Sequence, residues 1–272
     1  MALMLAAGAA QAARTHVMVP HDGAQIEVIV DGAGEAVVLL PSSRRGSEDF
    51  DAVAERIAAA GHKVLRPQPR GIGKSTGSLT GLTLHMLASD VAATIRALGG
   101  GRAVVVGHAY GHYVARVTDL DYPALVRGMV MAASGSAGAT SSPTVPRALD
   151  TAADAAQPEA MRLAALRLAF FAPGSDPRPW LDGWHPELAA AYRAAAKVPA
   201  RAAWWPVTNA PVLDLQAADD PWRPVESRKE VVDALGAKAS VVVVPNASHA
   251  LFPEQPVAVA DAIVKWIAAL PR

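Results

Sequence analysis

The run Val104-Val105-Val106-Gly107-His108-Ala109-Tyr110-Gly111 places two glycines four positions apart, directly after three valines. That spacing lets a strand turn sharply into a helix, because the backbone passes where a Cβ would collide, and the central side chain stands alone above the strand end. A chain carrying such a turn is constrained to strand-turn-helix units, and so to a sheet whose strands are joined by helical crossovers. The frame is Gly-x-Ser-x-Gly, which elsewhere presents a nucleophile, but position 109 is alanine and the projecting group is a methyl.

The rest of the chain fits a sheet of this kind. Strands are expected at Gln25 to Val30, Ala36 to Leu40, Lys63 to Leu65, Ala103 to Val106, Gly128 to Ala132, Val212 to Leu215 and Ser240 to Val244. Phe50, Val53 and Ile57 recur at helical spacing, with Ser47 as expected N-cap and Gly61 as terminator. A second helix carries Leu84, Leu87, Val91, Ile95 and Leu98 on one face, starts near Thr83 and stops at Gly99-Gly100-Gly101. The pattern breaks at the small-residue run 135–143, and from there to Pro206 the chain is Ala-rich, helical and without strand candidates. We read 136–206 as a helical cap inserted into one α/β domain spanning 15–272, since 272 residues with 51% hydrophobic content bury a single large core.

Composition narrows the partners. Basic and acidic residues number 25 each, so no net field attracts nucleic acid or an anionic membrane, and the expected partner is a small hydrophobic molecule. Without cysteine there is no thiol catalysis and no disulfide, and His16, His21, His62 and His85 are too scattered to suggest a metal site, so neither metal nor cofactor is expected. Residues 1–14 are apolar and end in small residues, like a remnant of a signal peptide with Ala10-x-Ala12 as cleavage site. That implies a periplasmic or secreted protein; if the segment is only an apolar tail, a cytoplasmic one. No later stretch reaches transmembrane length without polar interruption, so no stable membrane insertion is expected, and the oligomeric state is left open. Gly73-Lys74-Ser75 looks like the end of a phosphate-binding loop, but Gln68 stands where that motif needs glycine.

The strand ending at Leu215 runs into Gln216-Ala217-Ala218-Asp219-Asp220-Pro221, and the next into Asn246-Ala247-Ser248-His249. With the Gly107-x-Ala109-x-Gly111 frame, the Arg70-Gly71-Ile72-Gly73-Lys74-Ser75 turn, Asp220-x-x-x-Pro224 and Glu254-Gln255-Pro256 after His249, the chain resembles the α/β-hydrolases of the helical-cap type from about residue 20 onward. It departs from them at Ala109, at Ala217 and Ser248 in place of glycines, and at Pro41-Ser42 in place of His-Gly. The resemblance implies an α/β-hydrolase fold and a triad order with Ala109 at the nucleophile position. His249 would be general base and acid, oriented by Asp220, with Asp219 and Asp214 as rivals for the acid. It implies an oxyanion hole from the N–H groups of Tyr110 and Ser43. Trp222, Phe252, Trp184 and Trp205 are expected around an apolar pocket, while Arg44 and Arg45 suit either a carboxylate ligand or a solvated surface.

With alanine at the centre, several activities stay open. The alanine is native or replaces a serine in an esterase-like hydrolase of ester or lactone substrates. If it is native, a His-Asp dyad acts on water or on an acidic C–H or O–H of a small hydrophobic carbonyl compound, giving hydrolysis, lyase or decarboxylase chemistry, or cofactor-free oxygenation. Another serine (Ser43, Ser134 or Ser248) attacks in a third reading, and the pocket is a non-catalytic ligand receptor in a fourth.

Overall fold

The computed structural model describes residues 14–135 and 141–271; the segment expected to be a signal-peptide remnant, up to residue 13, and the first five residues of the expected cap, 136–140, lie outside them. Eight strands, Thr15–His21 (β1), Ala24–Asp31 (β2), Glu35–Leu40 (β3), His62–Pro67 (β4), Ala103–His108 (β5), Val126–Ala132 (β6), Val212–Ala217 (β7) and Ala239–Val244 (β8), form one sheet in the order β1-β2-β4-β3-β5-β6-β7-β8. β2 pairs antiparallel with β1 and β4, and every pairing from β4 to β8 is parallel. The helices are Asp51–Ala59 (α1), Leu84–Leu98 (α2), Gly111–Asp121 (α3), Thr144–Ala153 (α4), Glu159–Ala169 (α5), Ala189–Ala195 (α6), Arg201–Trp204 (α7), Glu230–Leu235 (α8), Leu251–Glu254 (α9) and Pro256–Ala269 (α10).

The strand sequences explain the layering. Val37, Leu39, Val104, Val106, Val130, Leu213 and Leu215 face α1 and α10, whereas Val38, Leu40, Val105, Met129, Met131 and Val212 face α2 and α3. Successive side chains point to opposite faces of a strand, so a sheet covered on both sides needs unbroken apolar runs, which is what β3, β5 and β6 supply. A third apolar cluster, with Val145, Ala148, Leu166, Phe170, Phe171 and Trp180, lies within the helical segment between β6 and β7 and reaches Ala250.

Two local expectations are corrected. The sheet begins one strand before Gln25: β1 is an edge strand whose alternate residues are exposed, so it needs no long apolar run and tolerates Pro20. Ser47 does not cap α1. It is fully buried, its hydroxyl donates to the Pro67 carbonyl at 2.8 Å, and it opens a short 3-10 turn that precedes the helix. Thr83 does cap α2, its Oγ1 accepting from Met86 N–H at 3.2 Å. In the 70–75 turn the Lys74 N–H donates to Glu27 at 2.6 Å and Arg70 forks onto Asp90, so this turn is held by carboxylates of the chain itself.

Candidate functional site

At the end of β5 the chain reverses over four residues, and sterics dictate the residue types. A Cβ at Gly107 would lie 2.4 Å from the Gly111 carbonyl carbon, and one at Gly111 would lie 2.3 Å from the Leu40 carbonyl oxygen. Ala109 between them has φ of 47°, the left-handed region that costs an L-residue roughly 1–2 kcal/mol. Its N–H donates to the Ala132 carbonyl on β6 at 2.9 Å, and its own carbonyl accepts from His112 N–H at 3.0 Å and from His112 Nδ1–H at 2.5 Å. Tyr110 follows in helical conformation at the start of α3, where first-turn N–H groups have no partner within the helix.

The loops after β7 and β8 bring an acid and a base together at the same end of the sheet. His249 Nδ1 lies 3.1 Å from each oxygen of Asp220, and both residues are buried. A ring nitrogen facing two carboxylate oxygens carries its proton, which leaves Nε2 as the basic atom. Nε2 makes no hydrogen bond among the described residues. Asp220 is fixed in turn by Trp222 N–H, which donates to Oδ1 at 2.9 Å. The rival acids stand elsewhere: Asp219 is exposed, and Asp214 accepts from Arg223 and Gln216.

Two neighbours not singled out from the sequence as site supports hold this arrangement. His108 is fully buried, donates through Nε2 to the His249 carbonyl at 2.7 Å, and stays neutral because burial pushes its pKa down to about 3. Glu254 accepts from Ser248 N–H and from Ala172 N–H, both at 2.7 Å, tying the histidine loop to the helical segment. The signals were in the sequence, as a histidine between the two glycines and an acid five residues after His249.

The aromatic residues fall in four places. Trp222 is tilted against His249 with ring centroids 5.1 Å apart, and Phe170 lies at 5.7 Å from the same ring. Phe252 is fully buried beneath, against Phe50 and His108, and is a core residue. Trp184 lies farther out, packed on Phe170 and on the guanidinium of Arg45. Trp205 is not in this neighbourhood; it stacks on Arg116 of α3 at 4.2 Å.

Arg44 and Arg45 are buried and not a solvated surface, and Arg44 also lines the cavity that holds Tyr110 and Gly111 in its wall. Arg45 is sandwiched between Trp180 and Trp184, forks onto Asp49 and donates to the Asp182 carbonyl; Arg44, with φ of 63°, pairs with Asp150 on α4. Both anchor the loop after β3 to the helical segment, and a desolvated cation on an indole face is worth up to about 2 kcal/mol. The same loop backs a cavity of about 50 Å³ whose wall includes Pro41, Ser42, Tyr110, Gly111 and Tyr192. Ser42 shares this wall with Tyr110. Ser43 does not, and sits half-buried at the corner of the turn closed by Arg45 N–H on the Ser42 carbonyl. Among the described residues no group of three or more His, Cys, Asp or Glu could hold a metal ion, and no helix is long and apolar enough to cross a membrane.

Known proteins share this architecture. An esterase from Exiguobacterium antarcticum superposes with a TM-score of 0.76 at 19% identity, covering 94% of this chain and 99% of that one. An esterase from Thermogutta terrifontis gives 0.74 at 22% identity, with 94% and 98% covered. Among curated sequences, a 2-hydroxy-6-oxononadienedioate/2-hydroxy-6-oxononatrienedioate hydrolase of Burkholderia vietnamiensis is 33% identical over 134 residues, 45% of each chain. The match thus spans less than half the length of that relative. The alpha/beta hydrolase family model covers residues 37–262, from within β3 through β8 and including every residue of the site described above, and the chain belongs to that family.

Proposed function

We propose that the protein acts on a small hydrophobic carbonyl or ester-type compound through His249 as base and Asp220 as its orienting acid, with Ala109 at the position where relatives of this architecture would carry a nucleophile. The observation that carries this reading is the buried Nδ1 contact to both Asp220 oxygens at 3.1 Å, which leaves Nε2 free to take a proton. The kinship with proteins named hydrolases and esterases supports a carbonyl substrate.

In the hydrolytic form, Nε2 removes a proton from water as its oxygen attacks the carbonyl carbon. Charge on the former carbonyl oxygen meets the N–H of Tyr110 and an N–H of the loop after β3, that of Ser43 or of Ser42, which shares the cavity wall with Tyr110. The imidazolium, stabilised by Asp220, then returns the proton to the leaving oxygen. The methyl of Ala109 cannot form an acyl intermediate. That favours, as a second reading, abstraction of an acidic proton from the substrate itself, the step of a lyase or decarboxylase, which uses the same base and anion hole. Trp222 and Phe170 around His249 supply an apolar wall. The chemistry as drawn calls on no cofactor.

The test is hydrolysis of short aryl esters by this chain and by Ala109→Ser in parallel. Removing the serine of an assembled triad costs on the order of 10⁶ in kcat, so restoring it is expected to raise kcat/KM by at least about 10³. The gain should vanish again when His249→Ala is added. No gain from serine would show that base and hole are not aligned on position 109.

A further inference from the structure

We propose that the cavity beside the β5–α3 turn is the seat of the substrate's acyl chain, and that it selects a short, uncharged chain of about four carbons. This deepens the reading above and rests on it in one respect: the substrate carbonyl lies at the N–H groups of Tyr110 and of the loop after β3. Ser42, Tyr110 and Gly111 form part of the cavity wall, so a chain attached to a carbonyl held there has this space beside it. The rest of the wall is mostly apolar, with Ile72, Leu87, Val91 and Val114 from the core and Leu188 from the turn before α6.

The charged and phenolic groups of the wall already have partners. Arg70 forks onto Asp90 at 2.7 and 2.8 Å, and Arg44 pairs with Asp150 at 2.9 Å. Tyr110 donates its hydroxyl to the Tyr192 carbonyl at 3.0 Å, and Tyr192 donates to the Arg70 carbonyl at 2.9 Å. The Nε of Arg44 has no partner, yet it lies beneath the surface, out of reach of a water molecule. A chain ending in a charge would therefore lose its hydration here without compensation, whereas a hydrocarbon chain gains by leaving water. Size sets the length. At about 10–15 Å³ for each water-sized group, a cavity of about 50 Å³ takes about four methyl or methylene groups. Leu188 has no room to retreat toward the 70–75 turn: a Cβ at Gly71, with φ of 87°, would already lie 2.8 Å from its Cδ2.

The experiment is a ladder of straight-chain amides from acetamide to heptanamide, titrated into the full chain and followed through the backbone N–H resonances of Tyr110 and Gly111. Amides resist hydrolysis, so binding is read without turnover. Affinity should rise about fourfold with each carbon up to pentanamide, the worth of one buried methylene, and then level off or fall. Val114→Leu and Leu188→Phe, which fill the cavity from α3 and from the turn before α6, should move the optimum at least one carbon shorter. Leu188→Ala should move it at least one carbon longer. Succinamate, close to pentanamide in length but ending in a carboxylate, should bind at least tenfold more weakly than pentanamide. An affinity that keeps climbing through heptanamide, or an optimum that none of the variants shifts, would overturn the proposal; Val114→Leu, the smallest change, decides if those at Leu188 disturb folding. Succinamate binding as tightly as pentanamide would also overturn it and make Arg44 an anion receptor. An optimum at pentanamide without ester cleavage by this chain or by Ala109→Ser leaves the cavity assignment standing and removes the hydrolytic reading. Ester cleavage without such an optimum removes the cavity assignment alone.

Discussion

The β5–α3 turn and the loops after β7 and β8 meet at one end of the sheet, yet they hold their shape by opposite means. The turn is fixed by backbone contact: Gly107 and Gly111 admit no Cβ, and residue 109 is left-handed whatever it carries. The loops are fixed by side chains, with Asp220 accepting from Trp222 N–H and facing His249, and Glu254 accepting from Ser248 and Ala172. The difference explains how this end of the sheet keeps its form with only a methyl at position 109. Geometry in the turn is indifferent to the side chain at 109 and intolerant of a methyl two residues away, whereas in the loops the identity of each polar side chain matters.

The sharpest way to break the comparison is Gly111→Ala. The new Cβ would meet backbone oxygens of Leu40 and Pro41 rather than a movable side chain, so β3 or α3 must shift. We expect a loss of about 3 kcal/mol or more in chemical denaturation, as for other forced overpacking, whereas Ala109→Ser should stay within about 1 kcal/mol. A mild Gly111→Ala would mean that the turn is not held by sterics.

A side chain also links the two regions. His108 belongs to the turn and donates to the His249 carbonyl, and burial lowers its pKa from 6.5 to about 3. Below pH 6.5 the unfolded chain takes up a proton that the folded chain refuses. Stability is therefore full above about pH 6.5 and falls as pH drops toward about 3, by roughly 1.4 kcal/mol per unit. His112, also held well below its ordinary value by burial, adds to the slope. Between pH 7.5 and 5, His108→Gln, which keeps a donor but does not titrate, should lose about 2 kcal/mol less than the parent. Equal losses would detach His108 from the acid response.

Much of this was legible in the sequence, and the reasons are local. The two glycines, the apolar runs and the order of Asp220 and His249 are short-range patterns, and they locate β3 to β8 and the turn. What escaped were features set by distant chain. β1 lacks an apolar run because one of its edges and half its residues face solvent. Arg45 reads as surface in a polar loop, and only Trp180 and Trp184, more than a hundred residues later, make it interior. Trp205 was grouped with the other tryptophans by type, but Arg116 claims it. The flanking glycines announced a sharp turn, while the left-handed conformation of Ala109 came only with the structure and is directly testable.

That conformation sets the smallest predicted effect. If the turn imposes φ of 47° on residue 109, an alanine there carries strain that a glycine would not, and Ala109→Gly should relieve roughly 1–2 kcal/mol. The glycine also gives the unfolded chain more freedom, which works against folding by about 0.4–1 kcal/mol. The net expectation is a gain of about 1 kcal/mol or slightly less in denaturant unfolding, with the slope unchanged. A loss of stability would mean that the methyl makes contacts worth more than the strain, and the turn would then depend on its central side chain after all, as the loops depend on theirs. A gain keeps the two regions distinct: one can carry any small residue at its centre, and the other loses its arrangement when a single carboxylate is changed.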